Sequence, residues 1–420
     1  MVEVTYLAGM SWFAALLILG LLISSFAERT KFSDVLFLIF LGILIKTYYS
    51  IDIYDIFSKV VLVTFSVFAL IMIVFDSSSA FNIKELQKIS PYVLKTVLIF
   101  AGVVMVSMGF ATHFFFAENI FDLNFLLLGI LFAGLNTGTD PSITLTMLKG
   151  KNHKLLKLIE VESILNTPFT VIFPLLILGI ILEGKFQTSG FVLQFLQQIF
   201  TAAGTGIIIG ILIFWMMKNY YSKTISPLLI IGVVLGTYAI AENLGGNGVL
   251  AVTVLGLVYG LSKIKEKVGI TTFNRDFTSF LRIIVFILLG FIIIIPSSVE
   301  FIVKSIMLFA VYIFIRYFSL YLSFYGSDIT PKEKWFMALN ISKGVAVVVV
   351  ILILSTVNIP NIEKILSLTM LFIIYSIITA TIANVFAGKL LNLAESEKKT
   401  FERLKGTKIK APKSFNGVKE

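Results

Sequence analysis

Long hydrophobic runs, separated by charged or Pro/Gly-rich breaks, constrain the fold of this chain more than any other feature. Runs of about 17 to 25 residues are what a helix needs to cross a membrane. We interpret thirteen ranges as spanning helices: 5–26, 33–49, 56–76, 92–116, 123–148, 155–182, 190–217, 223–242, 247–262, 276–296, 299–325, 333–356 and 363–392. Of 420 residues, 58% are hydrophobic and 14% charged, the reverse of what a soluble surface of this size requires. We therefore predict an all-α polytopic membrane protein.

Lysine and arginine residues are concentrated in alternate loops. If the N-terminus is outside, the loops that become cytoplasmic hold most of these residues. The loops on the outer side then hold little beyond Lys46, Lys185 and Lys364. The positive-inside rule then places the basic loops and the C-terminus in the cytoplasm of a cell (plasma) membrane protein. We predict a transmembrane domain over 1–395 and a basic cytoplasmic tail over 396–420. Contact of these loops and the tail with anionic lipid explains the net charge of +10, so no nucleic-acid partner is required.

The first polar cluster in the apolar runs is Asn136-Thr137-Gly138-Thr139-Asp140-Pro141. Proline removes a backbone donor and disfavours helical angles in the residue before it, so the helix should unwind here. Unwound backbone at membrane depth offers carbonyl groups to a cation. A carboxylate such as Asp140 costs roughly 2.5 to 3.5 kcal/mol at this depth, which favours a role in ion or proton handling. The alternative is a simple proline kink, which does not require Asp140.

The second polar cluster lies in the next segment. Glu162 and Asn166 share one helical face, and Ser163 and Thr167 share the adjoining face, because residues four apart are neighbours on a helix. The stripe presents hard oxygen ligands of the kind that suit sodium, lithium or a proton relay. The alternative is a structural network of hydrogen bonds between helices.

A buried carboxylate usually needs a cationic partner. Two deep cations are available late in the sequence, Arg316 in segment eleven and Lys343 in segment twelve. We interpret Glu162 as a residue held in an ion pair that does not itself titrate.

The composition limits the other chemistries. The chain has no cysteine and only His113 and His153 as histidines, so we predict no cofactor and no bound metal beyond a transported cation. An intramembrane aspartyl protease would use two aspartates on facing helices. Asp140 and Asp76 lack the Tyr-Asp and Gly-x-Gly-Asp settings of such enzymes, so we predict a transporter and no enzyme activity.

Two motifs carry a resemblance to a known family: Thr139-Asp140-Pro141, and Glu162-Ser163-Ile164-Leu165-Asn166-x-Pro168. Together they resemble the signature of the cation:proton antiporter 1 family, which includes the archaeal NhaP-type sodium/proton antiporters. The resemblance continues in Leu244 to Gly248, in Arg316 and in Lys343-Gly344-Val345, where the family usually has Arg-Gly-Val.

The resemblance implies two inverted repeats, about 1–182 and 223–393, with segments five and twelve unwound and crossing near the midplane. It implies that Asp140 and Ser163 lie at the cation site, with Thr139 beside them, that Asn166 orients it, and that Glu162 pairs with Arg316. It further implies a homodimer that works by alternating access.

One departure from the family matters for the mechanism. Where the family has Asn-Asp, this chain has Asn166-Thr167, and threonine cannot carry a proton in the physiological range. Another carboxylate must then alternate between the ions, and the candidates are Asp140 and Asp76. We expect exchange of Na+, Li+ or K+ for protons. The alternative is a channel or uniporter-like relative that has lost its coupling to protons.

Overall fold

A computed structural model describes residues 2–30, 34–49, 58–80, 83–148, 154–183, 188–220, 222, 224–262, 267–292, 298–387 and 391. Over these residues the secondary structure is entirely α-helical apart from turns and short connections, which confirms the predicted fold class. The predicted tail 396–420 and the lysine-containing segment 149–153 lie outside the described residues.

Fifteen helices occupy the described part of the chain. They are α1 (Val2–Thr30), α2 (Asp34–Tyr49), α3 (Lys59–Ser79), α4 (Ile83–Phe116), α5 (Leu123–Leu135), α6 (Ser142–Met147), α7 (Lys154–Glu183), α8 (Thr188–Asn219), α9 (Ile225–Asn243), α10 (Gly248–Leu261), α11 (Lys267–Ile292), α12 (Val299–Ser323), α13 (Pro331–Leu339), α14 (Val345–Leu354) and α15 (Ile362–Val385). Seven of them, α3, α4, α7, α8, α9, α12 and α15, are long and apolar enough to cross a membrane. The count of thirteen crossings stays a prediction.

Local sequence fixes several helix starts. Asp122, Asn247 and Ser298 each accept a hydrogen bond from a backbone N–H in the first turn of the helix that follows, which satisfies a donor that the helix itself leaves unpaired. Thr330 and Glu333 form a reciprocal capping box at the start of α13. These polar caps place the helix ends where the apolar runs stop.

Two predicted segments are each divided into two helices. Segment five consists of α5 and α6 with residues 136–141 between them, and segment twelve consists of α13 and α14 with residues 340–344 between them. We call these connections the first break and the second break. Both predicted interruptions are confirmed.

Glycine allows the closest helix contacts. A methyl group added to Gly42 of α2 would lie 2.3 Å from the carbonyl oxygen of Ile287 in α11, and one added to Gly290 would lie equally close to the carbonyl of Ile39. Small residues of this kind let helix backbones approach in membranes, where water supplies no hydrophobic force between helices. The contact fixes α11, which forms one side of the site described next.

The helix of segment ten extends beyond the apolar run at its start. The apolar run begins near residue 276, but α11 begins at Lys267, nine residues earlier. Its first turns mix apolar residues with polar ones, of which Asn274 is buried and Arg275 is exposed. Arg275, Thr278 and Arg282 of this helix line a cavity.

Candidate functional site

The two breaks lie against each other. The backbone N–H of Asp140 donates to the carbonyl of Ser342 at 2.7 Å, and the Ser342 hydroxyl donates to the carbonyl of Asp140 at 2.6 Å. Polar groups that lose their helical partners at one break are thus satisfied by the other, as buried backbone requires. A second bond between the segments runs from the Thr144 hydroxyl to Asn340 Oδ1 at 2.6 Å.

Lys343 occupies the carbonyl groups of the first break. Its Nζ donates to the carbonyls of Asn136 at 2.9 Å and Gly138 at 3.0 Å, and to the Tyr312 hydroxyl at 2.6 Å. The Tyr312 hydroxyl in turn donates to the carbonyl of Asn136 at 2.8 Å. Because α5 ends at these carbonyls, the buried ammonium group also stabilises the negative end of the helix dipole. Lys343 is therefore held by the break and makes no salt bridge with Glu162 in the described structure.

The polar stripe of α7 binds the first break. Asn166 accepts a hydrogen bond from the backbone N–H of Thr139 at 3.3 Å and donates to the Thr139 hydroxyl at 2.9 Å. Ser163 donates to the Thr139 carbonyl at 2.6 Å. The structure thus brings Ser163 and Asn166 to the residue before Asp140. In this arrangement Asn166 positions the backbone of the break, and it does not line the cavity described next.

A cavity of about 370 Å³ opens beside the first break. The Asp140 side chain lines it, is partly exposed, and accepts a hydrogen bond on Oδ1 from the Ser142 backbone N–H at 2.8 Å. Thr139, Ser163 and Thr167 line the same wall. Within the described residues, no lysine, arginine or histidine forms a salt bridge with Asp140, so its carboxylate faces the cavity without a charged partner.

Asp76 lines the cavity from α3, where α11 packs on that helix. The Thr278 hydroxyl lies 3.4 Å from Asp76 Oδ2, and Arg275, Thr278 and Arg282 of α11 line the cavity with it. The structure therefore brings both carboxylates that the sequence nominated into the lining of one cavity. Which of them binds a cation stays a prediction.

Thr167 lines the cavity at the position where the sequence departs from the family. Its hydroxyl donates to the carbonyl of Ser163 within its own helix at 2.7 Å. The hydroxyl proton is occupied by this bond, while the oxygen lone pairs stay available as acceptors. Thr167 can therefore offer an oxygen to the cavity.

Glu162 points away from the cavity and meets Arg316. Arg316 Nη2 lies 2.5 Å from Glu162 Oε1, and both side chains are almost fully buried, at 1% and 2% exposure. The guanidinium also stacks over the Phe100 ring, with Cζ 4.2 Å from the ring centroid. Of the two cations considered from the sequence, the structure places Arg316 at this carboxylate. The pair joins α7 to α12.

Several residues of the site were missed by reasoning from the sequence. Arg275, Thr278 and Arg282 are spaced to share one face of a helix, and that spacing could have indicated a polar wall. Ser342, between the end of α13 and the apolar run of α14, could have been found as a small polar residue two positions before Gly344. Tyr312 carries no such signal, because an isolated tyrosine in an apolar helix is common.

The comparisons with known proteins identify the family. The family model described as "Sodium/hydrogen exchanger, transmembrane" matches residues 13–387, which is most of the chain. The chain belongs to this family, whose members are secondary transporters of the antiporter type.

Relatives agree with this assignment. The low-affinity Na+/H+ antiporter NhaS1 of Synechocystis is 30% identical over 176 residues, which is 39% of this chain and 33% of that protein. The match therefore spans only a third of the length of that relative. Na+/H+ antiporter 1 of Methanocaldococcus jannaschii is 24% identical over 348 residues, 78% of this chain and 79% of that one.

The fold is also that of a solved structure. The sodium proton antiporter MjNhaP1 from Methanocaldococcus jannaschii, determined at pH 8, superposes with a TM-score of 0.77 at 20% sequence identity, and the match covers 90% of this chain and 99% of that one. At this identity the likeness shows the fold.

Proposed function

We propose that this protein exchanges a monovalent cation, Na+ in the first place, for protons across the cell membrane by alternating access. One observation carries the proposal. In a member of the sodium/hydrogen exchanger family, an aspartate without a salt-bridge partner in the described structure faces a cavity where two helix breaks meet.

The mechanism is competition for one carboxylate. A cation and a proton cannot both neutralise Asp140, so exchange is obligatory if only the neutralised site moves between inward-open and outward-open states. The oxygen atoms of Thr139, Ser163 and Thr167 on the same wall are hard ligands suited to a dehydrated monovalent cation. In this scheme the Glu162–Arg316 pair takes no part in the exchange and holds α7 against α12.

Asp76 is the second candidate for the exchanging carboxylate. It faces the same cavity from α3, and its placement supports a role in the absence of an aspartate at position 167. Asp76 and Asp140 belong to different helical segments of the same lining. The separate replacement of each aspartate distinguishes the two.

The position of the cavity supports an inward-open state. Its lining extends to Ala80 after α3 and to Leu145 in α6, and in the sequence these helices are followed by the connections 81–82 and 149–153. The positive-inside rule assigns these connections, with their neighbouring lysines, to the cytoplasm. In the same scheme the N-terminus is outside, the repeats 1–182 and 223–393 are inverted copies, and two copies of the chain form a homodimer in the lipid bilayer.

The test is a pH-gradient assay in proteoliposomes. Purified protein is reconstituted with an internal pH dye, a pH gradient is imposed, and Na+, Li+ and K+ are added in turn. We expect at least one of these cations to dissipate the gradient, and Asp140→Asn to abolish the effect. A cation current without proton movement would instead support the uncoupled alternative, which has no support from the comparisons. If folded protein shows no cation uptake and no proton movement, the proposal is contradicted.

A further inference from the structure

The cationic side chains around the site differ in how they are held. Arg316 is paired with a buried carboxylate, and Lys343 is held by the carbonyls of the first break. Arg282, which lines the cavity, contacts Asp34 at 3.2 Å. Arg275 lines the cavity too, yet in the described part of the chain it has no salt bridge within 4 Å. Of the two arginines that line the cavity, Arg275 is therefore the one without a salt-bridge partner among the described residues.

Arg275 belongs to the wall that carries Asp76. The Thr278 hydroxyl lies 3.0 Å from the carbonyl oxygen of Arg275 and 3.4 Å from Asp76 Oδ2, so the three residues occupy adjacent positions where α11 packs on α3. Arg275 is close enough to attract the Asp76 carboxylate through space. Arg275 is exposed in the described structure and lines the cavity.

The charges that line the cavity can be compared directly. Asp76, Asp140 and Glu160 are acidic, and Arg275 and Arg282 are basic. Because Asp34 already neutralises Arg282, Arg275 supplies the positive charge of this lining that has no salt bridge in the described part of the chain. It lies near Asp76 and in the same cavity lining as Asp140.

We propose that Arg275 is a positioning residue that sets cation affinity: its fixed positive charge competes with the transported ion for the carboxylates of the cavity. This inference rests on the proposed function and deepens it. Arginine keeps its charge at all accessible pH values, so the competition is constant. A point charge acting through partly aqueous space does not distinguish ions by size, so affinities for Na+, Li+ and K+ are lowered by the same factor.

The size of the effect follows from Coulomb's law. One elementary charge several ångströms away, at an effective dielectric constant of about 20 to 40, changes a binding constant by about tenfold. We therefore expect Arg275→Gln to lower the KM for every transported cation by about tenfold, and Arg275→Glu to lower it further. Arg275→Lys keeps the charge and should keep the KM within about twofold of the parent protein.

The experiment measures KM for Na+, Li+ and K+ in proteoliposomes at one alkaline pH, where protons compete least. The control is Lys304→Gln, which removes an exposed positive charge paired with Glu300 on α12, outside the cavity. We expect the control to leave KM unchanged. The proposal is supported if KM falls in the order Arg275→Lys, Arg275→Gln, Arg275→Glu, and if the ratio of the KM values for the three ions stays constant across the variants. An equal change in Arg275→Lys and Arg275→Gln, or no change in the series, overturns it.

A second measurement separates this inference from the proposed function. Cation-dependent shifts in melting temperature are recorded for the purified parent protein and for Arg275→Gln. If the parent protein binds Na+ without exchanging it, the proposed function fails, and a larger shift in Arg275→Gln still supports the role of Arg275. Equal shifts in the two proteins overturn that role. Absence of both binding and exchange overturns both statements.

Discussion

Asp140 and Ser342 each donate a hydrogen bond to the carbonyl of the other, at 2.7 and 2.6 Å, and so join the two helix breaks. The backbone of Asp140 is therefore fixed by a residue about two hundred positions later in the chain. Because the side chain extends from this anchored backbone, the place of its carboxylate in the cavity depends on both breaks at once.

Asp140→Asn is expected to abolish cation-dependent proton movement and to leave folding intact. The amide keeps an oxygen that can accept from the Ser142 N–H, as Asp140 Oδ1 does at 2.8 Å, but it cannot exchange a proton for a cation. The pH-gradient assay and the melting temperature test the two parts. Asp122→Asn is the matched control, because Asp122 also accepts a backbone N–H, at 3.1 Å, and lies outside the cavity. Full exchange by folded Asp140→Asn would remove Asp140 from the mechanism.

Gly344→Ala is expected to slow exchange while the chain still folds. A methyl group at this position would lie 2.5 Å from Asp140 Oδ2, so the carboxylate must move. A displacement of about 1 Å at a reacting group can reduce a rate by up to about a hundredfold, and we expect a loss of at least about tenfold here. Gly232→Ala is the control, since a methyl group there has no neighbour within 4 Å. Equal rates for both variants would show that the carboxylate position does not limit transport.

Loss of either Glu162 or Arg316 is expected to lower the free energy of unfolding by roughly 3 to 5 kcal/mol, because each leaves an uncompensated buried charge. The double variant Glu162→Gln with Arg316→Gln should recover part of this loss. Melting temperatures of the two single variants and the double variant measure the coupling. Replacement of the exposed pair Glu300 and Lys304 should change the melting temperature little. Simple additivity for Glu162 and Arg316 would contradict an energetic pair.

Thr167→Asp is expected to add a second titratable group to the wall that carries Asp140. Two carboxylates that share a site attract a cation more strongly at high pH and shift the pH profile of exchange, since one of them holds its proton more tightly. If the parent protein is silent, the variant should gain activity. Transport at several pH values provides the measurement.

The control for Thr167→Asp is Thr272→Asp. Both hydroxyls donate to the carbonyl four residues earlier, but Thr272 is exposed and does not line the cavity. Unchanged transport and an unchanged pH profile in folded Thr167→Asp would show that position 167 takes no part in ion binding.

The first break was predictable from local chemistry, whereas the second was not. Pro141 and Gly138 disfavour a helix by their own conformational limits. Residues 340–344 contain no proline, and only the resemblance to a family indicated an interruption there. The second break pairs with the first through Ser342 and Asp140, and this tertiary contact is not visible in the local sequence.

The surroundings of Asp76 show the same limit of prediction from local sequence. Asp76 could be nominated from its place at the end of segment three and from the resemblance to the family, but its neighbours Arg275 and Thr278 lie about two hundred positions away. Only the packing of α11 on α3 brings them together. Sequence patterns indicate which face of a helix is polar, and they do not say which helix that face meets.

A single carboxylate that takes either ion has an electrical consequence for the proposed cycle. The buried Glu162–Arg316 salt bridge has no net charge of its own, so Asp140 is the group whose charge changes with loading. A sodium ion and a proton each add one positive charge at Asp140, so the protein carries the same charge in both directions. A cycle of one ion for one proton is then electrically silent: membrane voltage does no work on it, and the two concentration gradients alone set its direction.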